Sequence, residues 1–135
     1  MTTRADVIAE ARRHLQVRWV HQGRSRAGVD CVGLIIKVAH GLGLSTFDIA
    51  DYSRQPDPVM MRSLLAEHME AIAAVSAQPG DVLLMRFERE PQHVAIVTDI
   101  GIIHAYAQAR KVVEHRLDSV WKSRIVGAYR FKGLD

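Results

Sequence analysis

Gly28-Val29-Asp30-Cys31-Val32-Gly33-Leu34-Ile35-Ile36 holds the only cysteine of the chain, at the start of its most apolar helical segment. Asp30 is a good N-cap residue and follows a loop rich in Gly, Ser and Arg, so a helix is expected to begin at Cys31. The helix continues to about His40 through Val32, Leu34, Ile35, Ile36, Val38 and Ala39. Apolar residues nearly all round it mark a central, buried helix, and Gly41 and Gly43 end it. Cys31 then lies in the first turn, where unpaired backbone N–H groups and the positive end of the helix dipole favour thiolate over thiol. That position points to a nucleophile.

Working outward, a first helix is expected from about Arg4 to Leu15, capped by Thr3, with Val7, Ile8, Ala11 and Leu15 on its core side. Residues 16–29 read as irregular, and Leu44 to Asp57 as a loop. Asp57-Pro58 starts a third helix whose apolar stripe is Leu64, Leu65, Met69 and Ile72. After Ala77 the period changes from 3.6 to 2. Gln78-Pro79-Gly80-Asp81 suits a type II turn. Strands are expected at Asp81–Phe87, His93–Thr98, Ile102–Ala107, Val112–Arg116 and Ile125–Phe131, with short turns between the first of them. Helices first and strands later give an α+β fold, N-terminal helices packed on a C-terminal antiparallel β-sheet.

The 135 residues, 48% hydrophobic, suffice for one domain spanning 1–135 with its own core. One cysteine excludes an internal disulfide and an all-cysteine zinc site. The N-terminus lacks the pattern of a secretory signal, and no apolar run approaches the ~20 residues that span a bilayer. The expectation is a chain made in the cytoplasm, with no membrane partner, that needs another route for export. The net charge of +3 and the loose cluster of Arg12, Arg13, Arg18, Arg24 and Arg26 fit solvated charge on a helix and loop. Without zinc-finger spacing or an aromatic RNA motif, no nucleic-acid partner is expected.

A cysteine nucleophile needs a base and a group that orients it. Of the seven histidines, His14, His40, His68 and His115 read as ordinary surface or edge residues. His93 and His104 instead flank apolar strands. Alternation puts His93, Ala95 and Val97 on one face. A two-residue turn at Thr98-Asp99 sets His104 directly opposite His93, about 4.5–5.5 Å away between Cβ atoms. A turn at Ile100-Gly101 keeps both on one face but apart, and a three-residue loop turns His104 away. The pattern alone also fits two half-buried histidines with no catalytic part.

These motifs together resemble the NlpC/P60 family of cysteine peptidases, which have a papain-like fold and hydrolyse peptide bonds in bacterial cell-wall stem peptides. The usual signature is a tyrosine, a tryptophan and two glycines, then Asp-Cys-Ser-Gly-Leu. Here the stretch runs from Trp19-Val20-His21-Gln22-Gly23-Arg24 to Asp30-Cys31-Val32-Gly33-Leu34. Gln78-Pro79-Gly80-Asp81-Val82-Leu83, His93-Val94-Ala95-Ile96-Val97 and Ile103-His104-Ala105 follow in the family's order, so the resemblance covers about Gln16 to Phe131. It implies Cys31 as nucleophile, His93 as base and His104 as the group orienting His93. The Cys31 backbone N–H would help bind the oxyanion. It also implies a peptidoglycan peptide as substrate, and no cofactor or metal.

The chain departs from the signature at Trp19 (tyrosine in most members), at His21 and Gln22, and at Val32 in place of serine. This version resembles the phage-associated branch of the family. The implication is a phage-tail or tail-like particle component, carried to the wall on the particle beside other tail proteins. Trp19, His21, Asp30 and Tyr106 are the candidate substrate-binding residues. For Trp19 and His21 loop packing is equally open, and Asp30 is most simply a helix cap. Trp121 and Tyr129 are assigned to structure. The loop from Leu44 to Asp57, with Tyr52 and Arg54, is the candidate for tuning substrate choice. Two rival functions remain: a catalytically silent tail-tip assembly protein, and an amidase or acyltransferase acting on a small molecule or lipid.

Overall fold

Thr3 opens α1 (Arg4–Arg12) with a reciprocal cap: its hydroxyl accepts the Asp6 N–H while the Asp6 carboxylate accepts the Thr3 N–H. The computed structural model describes residues 1–54, 57–87 and 90–134. Gln55 and Pro56 of the expected 44–57 loop lie outside them. α1 ends short of the expected Leu15 because Gln16, at φ 72°, turns the backbone so that its N–H meets the Val112 carbonyl. A short hairpin, β1 (Arg24–Ser25) and β2 (Gly28–Val29), occupies part of the stretch read as irregular. Then come α2 (Cys31–Gly41), capped by Asp30, and α3 (Pro58–His68), capped by Asp57 with Pro58 in its first turn.

The rest is a six-stranded antiparallel sheet: β3 (Met69–Ile72), β4 (Val82–Phe87), β5 (Glu90–Val97), β6 (Ile102–Tyr106), β7 (Lys111–His115) and β8 (Ile125–Phe131), in the order β3-β8-β4-β5-β6-β7. A short helix, α4 (Ser119–Lys122), joins the last two strands. The expected fold class holds. One element does not: Met69 and Ile72, read as the end of the third helix, form an edge strand paired with β8, Met69 opposite Phe131 and Ile72 opposite Ala128. Tertiary pairing along an open sheet edge outweighs helical spacing at a helix end.

The sheet has two differently covered faces. Val82, Leu84, Val94, Ile96, Ile103 and Ala105 face α1 and α2 and join Val7, Leu34 and Val38 in the main core. Leu83, Met85, Ala95, Ile102 and Ala128 face the other way, against Leu117, Trp121 and Ile125. This parity decides which side of the sheet each site residue occupies.

Asp81 ties α1 to the sheet. It follows Gly80, at φ 96°, in the expected turn, closed by the Asp81 N–H on the Gln78 carbonyl. Its fully buried carboxylate meets Arg4 at 2.8 Å and Arg130 at 3.0 Å, and accepts the Gln78 N–H. These partners outweigh burial and hold its pKa below the usual carboxylate range. A lowered folded pKa means the contribution is fully present above the unfolded value of about 3.9 and disappears as the pH falls through the lower folded one. Asp81→Asn is therefore expected to cost about 2–3 kcal/mol at pH 7, hydrogen bonds to charged groups being worth that order, and to flatten the acid side of the stability profile. Thermal unfolding of both proteins between pH 3 and pH 7, in steps of about one unit, measures this; equal stability throughout would contradict it.

Candidate active site

Asp30 organises the first half of the site. Its side chain is buried, and four donors satisfy it: Gly33 N–H at 2.7 Å, Gln22 N–H at 2.8 Å, the Tyr52 hydroxyl at 2.7 Å and Arg24 Nη1 at 3.4 Å. Gly33 permits this, since a Cβ there would sit 2.4 Å from the Gly23 carbonyl oxygen and 2.8 Å from Arg24 Nη1. Asp30, taken from the sequence as a substrate-binding candidate, is thus occupied within the fold. Both oxygens hold the 22–24 loop and Tyr52 against the start of α2, which leaves no lone pair facing outward.

Cys31 follows directly. The backbone N–H groups of Cys31 and Val32 at the helix start, and of Val94 in β5, act on the thiol in the direction that favours thiolate. The Val94 N–H is available for a geometric reason. The Val97 N–H bonds the Asp81 carbonyl in the β4 direction, so by alternation the Val94 N–H points toward β6. Yet β5 and β6 pair only at Ile96↔Ile103 and Val97↔Ile102. Beyond these pairs no ladder joins the strands, so the sheet leaves the Val94 N–H unclaimed on the side where it acts on the thiol.

His93 precedes Val94, and its ring points to the opposite face, since Val94 faces α2 and Met85, the partner of His93, faces away. The turn between β5 and β6 is none of the three drawn from the sequence. Thr98 N–H bonds the Gly101 carbonyl, making Asp99-Ile100 the two central residues. Continuing that register sets His93 opposite Tyr106 and His104 opposite Ala95. The histidines share a face as expected but lie diagonally, and their rings close the gap with a 2.5 Å contact from His93 Nε2 to His104 Nδ1. Among the described residues no hydrogen bond joins Cys31 to His93. His104 holds Nε2, and Nδ1 is the other nitrogen of the His93 ring.

The family profile for NlpC/P60 matches residues 16–130. The chain belongs to the NlpC/P60 family. Among solved structures it is similar to the NlpC/p60 domain of the peptidoglycan hydrolase SagA, with 25% identity and a TM-score of 0.68 over 96% of this chain and 100% of that one. An NlpC/P60 family protein from Bacillus cereus shares 22% identity at a TM-score of 0.72, over 96% of this chain and 40% of that one. The peptidoglycan hydrolase RipB from Mycobacterium tuberculosis shares 19% identity at 0.67, over 94% and 63%. No curated protein sequence matches the chain.

Within this NlpC/P60 domain the other sequence candidates separate. Tyr106 joins the histidines: it stacks on His104 at 5.1 Å and 11°, and its hydroxyl bonds Gln108. Trp19 is half-buried against the core under the Arg54 guanidinium. His21 sets its ring edge-on to Tyr52 at 5.6 Å, with a buried Nδ1 that has no partner. His115, read as an ordinary edge residue, is a correction: its Nε2 lies 2.8 Å from His104 Nε2, completing a line of three rings. Trp121 closes the same face, 5.0 Å from the His104 ring, although no motif marks it. The period-2 count from His104 across the β6–β7 turn was the signal for His115, since His104 pairs with Val113 and His115 shares its face. Among the described residues no group of His, Cys, Asp and Glu is placed to hold a metal ion.

The electrostatics reverse one expectation. Burial first, then the Asp30 charge, push the Cys31 thiol up to about 12, against the opposing pull of the three N–H groups. Burial and the Arg124 charge push His93 down to about 3; burial and the neighbouring histidines push His104 down to about 2. At neutral pH the Cys31 thiol and the His93 and His104 imidazoles are therefore neutral. Alkylation of Cys31 by iodoacetamide is expected to stay slow at pH 7 and to rise only in the alkaline range. In Asp30→Asn, which removes the adjacent negative charge, the onset moves to lower pH. Mass-spectrometric rates across the pH range check this; fast labelling at pH 6 in the unaltered chain would contradict it.

Proposed function

We propose that this chain is a cysteine peptidase that hydrolyses peptide bonds in peptidoglycan stem peptides. The observation that carries the reading is the thiol of Cys31 at a helix N-terminus beside the Val94 N–H, next in sequence to a histidine whose far nitrogen is engaged by a second histidine. Support for the substrate comes from the peptidoglycan hydrolases SagA and RipB among the similar structures.

In this reading the chemistry is acyl transfer with general-base activation. As Cys31 Sγ attacks the carbonyl carbon, its proton passes to His93 Nδ1, so no resting thiolate is needed. The oxyanion that forms meets the Cys31 N–H at the start of α2. His93 then gives the proton to the departing amine as the C–N bond breaks, leaving a thioester. Water, deprotonated by His93, attacks the thioester, and the acid leaves as the proton returns to sulfur. Because burial lowers the His93 pKa, the base stays unprotonated through pH 5, and activity is not lost there through its charging.

The same proposal assigns the chain to a phage-tail or tail-like particle that carries it to the wall, with other tail proteins as neighbours. His21-Gln22 and Val32, where the family signature is altered, support that assignment. One observation favours the rival, a silent assembly protein: the thiol is only 8% exposed and strongly held neutral. Digestion of purified muropeptides separates the two. The unaltered chain is expected to release peptide fragments, and Cys31→Ser and His93→Gln each to lose at least about 10³-fold in rate, both with unchanged circular dichroism. No release by the unaltered chain, or full activity in Cys31→Ser, would overturn the peptidase reading.

A further inference from the structure

The three histidines form one directed line: His93 Nε2 to His104 Nδ1 at 2.5 Å, His104 Nε2 to His115 Nε2 at 2.8 Å, and His115 Nδ1 to the Arg116 carbonyl oxygen at 2.9 Å. A carbonyl oxygen only accepts, so His115 Nδ1 carries a proton. In a neutral ring its Nε2 is then bare and accepts from His104 Nε2–H. His104 Nδ1 is bare in turn and accepts from His93 Nε2–H. That leaves the lone pair of His93 on Nδ1. With the opposite polarity Nδ1 would bear the proton, and a thiol would find no acceptor there.

We propose that His115 is a positioning residue that fixes the tautomer of His93 through His104, so that His93 presents a bare Nδ1. The inference rests on the reading of His93 as the base. The surroundings hold the line in one arrangement. His104 is fully buried between the stacked Tyr106 ring and the edge-on Trp121 ring, 88° to its plane, so it cannot turn over freely. Trp121 also covers His115 at 5.1 Å. The accepting carbonyl lies where the chain leaves β7 against the Asp99-Ile100 turn. There Gly101 packs so closely that a Cβ would fall 2.2 Å from the His115 carbonyl oxygen and 2.7 Å from Arg116 Cα. The tautomer of a ring on β5 is thus set by a backbone oxygen at the end of β7.

Long-range proton–nitrogen NMR of the full chain, labelled with ¹⁵N-histidine, reads each tautomer directly, because protonated and bare imidazole nitrogens resonate far apart. In the unaltered chain His93 is expected to show a bare Nδ1 and a protonated Nε2. In His115→Phe, which removes the acceptor, His93 should become a mixture of tautomers, and kcat should fall about tenfold or more with KM little changed. His115→Gln, whose amide oxygen accepts from His104, should restore both the spectrum and most of kcat. A protonated Nδ1 on His93 in the unaltered chain overturns the proposal even if the variants fail to fold, and so does an unchanged His93 tautomer in His115→Phe. The spectra need no substrate. Expected tautomers without hydrolysis would overturn the peptidase reading alone, and hydrolysis with unchanged tautomers would overturn this inference alone.

Discussion

A single buried carboxylate, Asp30, holds together the parts of this domain on which its chemistry depends. An unpaired charge in that position would be too costly to bury, and the fold answers with two backbone N–H groups, a tyrosine hydroxyl and a guanidinium. The four donors come from three pieces of chain: the first turn of α2, the 22–24 loop, which supplies two, and the loop carrying Tyr52. Satisfying one charge therefore fixes where α2 begins, and so where Cys31 points. The same charge acts against ionisation of the neighbouring thiol. The anchor that positions the sulfur also keeps it neutral.

That tension bears on the proposed mechanism. A papain-like site with a preformed ion pair would need a thiol pKa below that of its histidine, whereas here burial moves the thiol up and the imidazoles down. Two neutral partners still suffice when the proton moves during attack, provided that the imidazole offers its lone pair on the correct nitrogen. This gives unusual weight to the tautomer of His93 and to the rings that set it. The short ladder between β5 and β6 serves the same end: it leaves the Val94 N–H unclaimed by the sheet on the side where it acts on the thiol.

Much of this was legible in the sequence. The cap at Asp30, the apolar helix behind Cys31 and the switch to period 2 after Ala77 are local signals, and local chemistry fixes them. The shared face of His93 and His104 was legible because parity survives any even shift in register. Their diagonal placement was not, since a change of one residue in the turn, from Thr98-Asp99 to Asp99-Ile100, moves the pairing by two. Met69–Ile72 escaped because its strand exists only through β8. His115 and Trp121 escaped because their meaning comes from packing across β6, β7 and α4, while each alone resembles an ordinary edge or core residue. Asp30 was legible as a cap but not as a satisfied buried charge, because Tyr52 lies 22 residues away in a loop with no periodic pattern.

The most direct test is to trap the covalent intermediate: the full chain is mixed with a defined muropeptide, quenched in acid within the first turnovers, and its intact mass and Cys31 peptide are measured. An added mass equal to the acyl half of the cleaved peptide is expected on Cys31, and none in Cys31→Ser. Fragment release with no adduct on Cys31, or an adduct on another residue, would contradict the assignment of Cys31 as nucleophile.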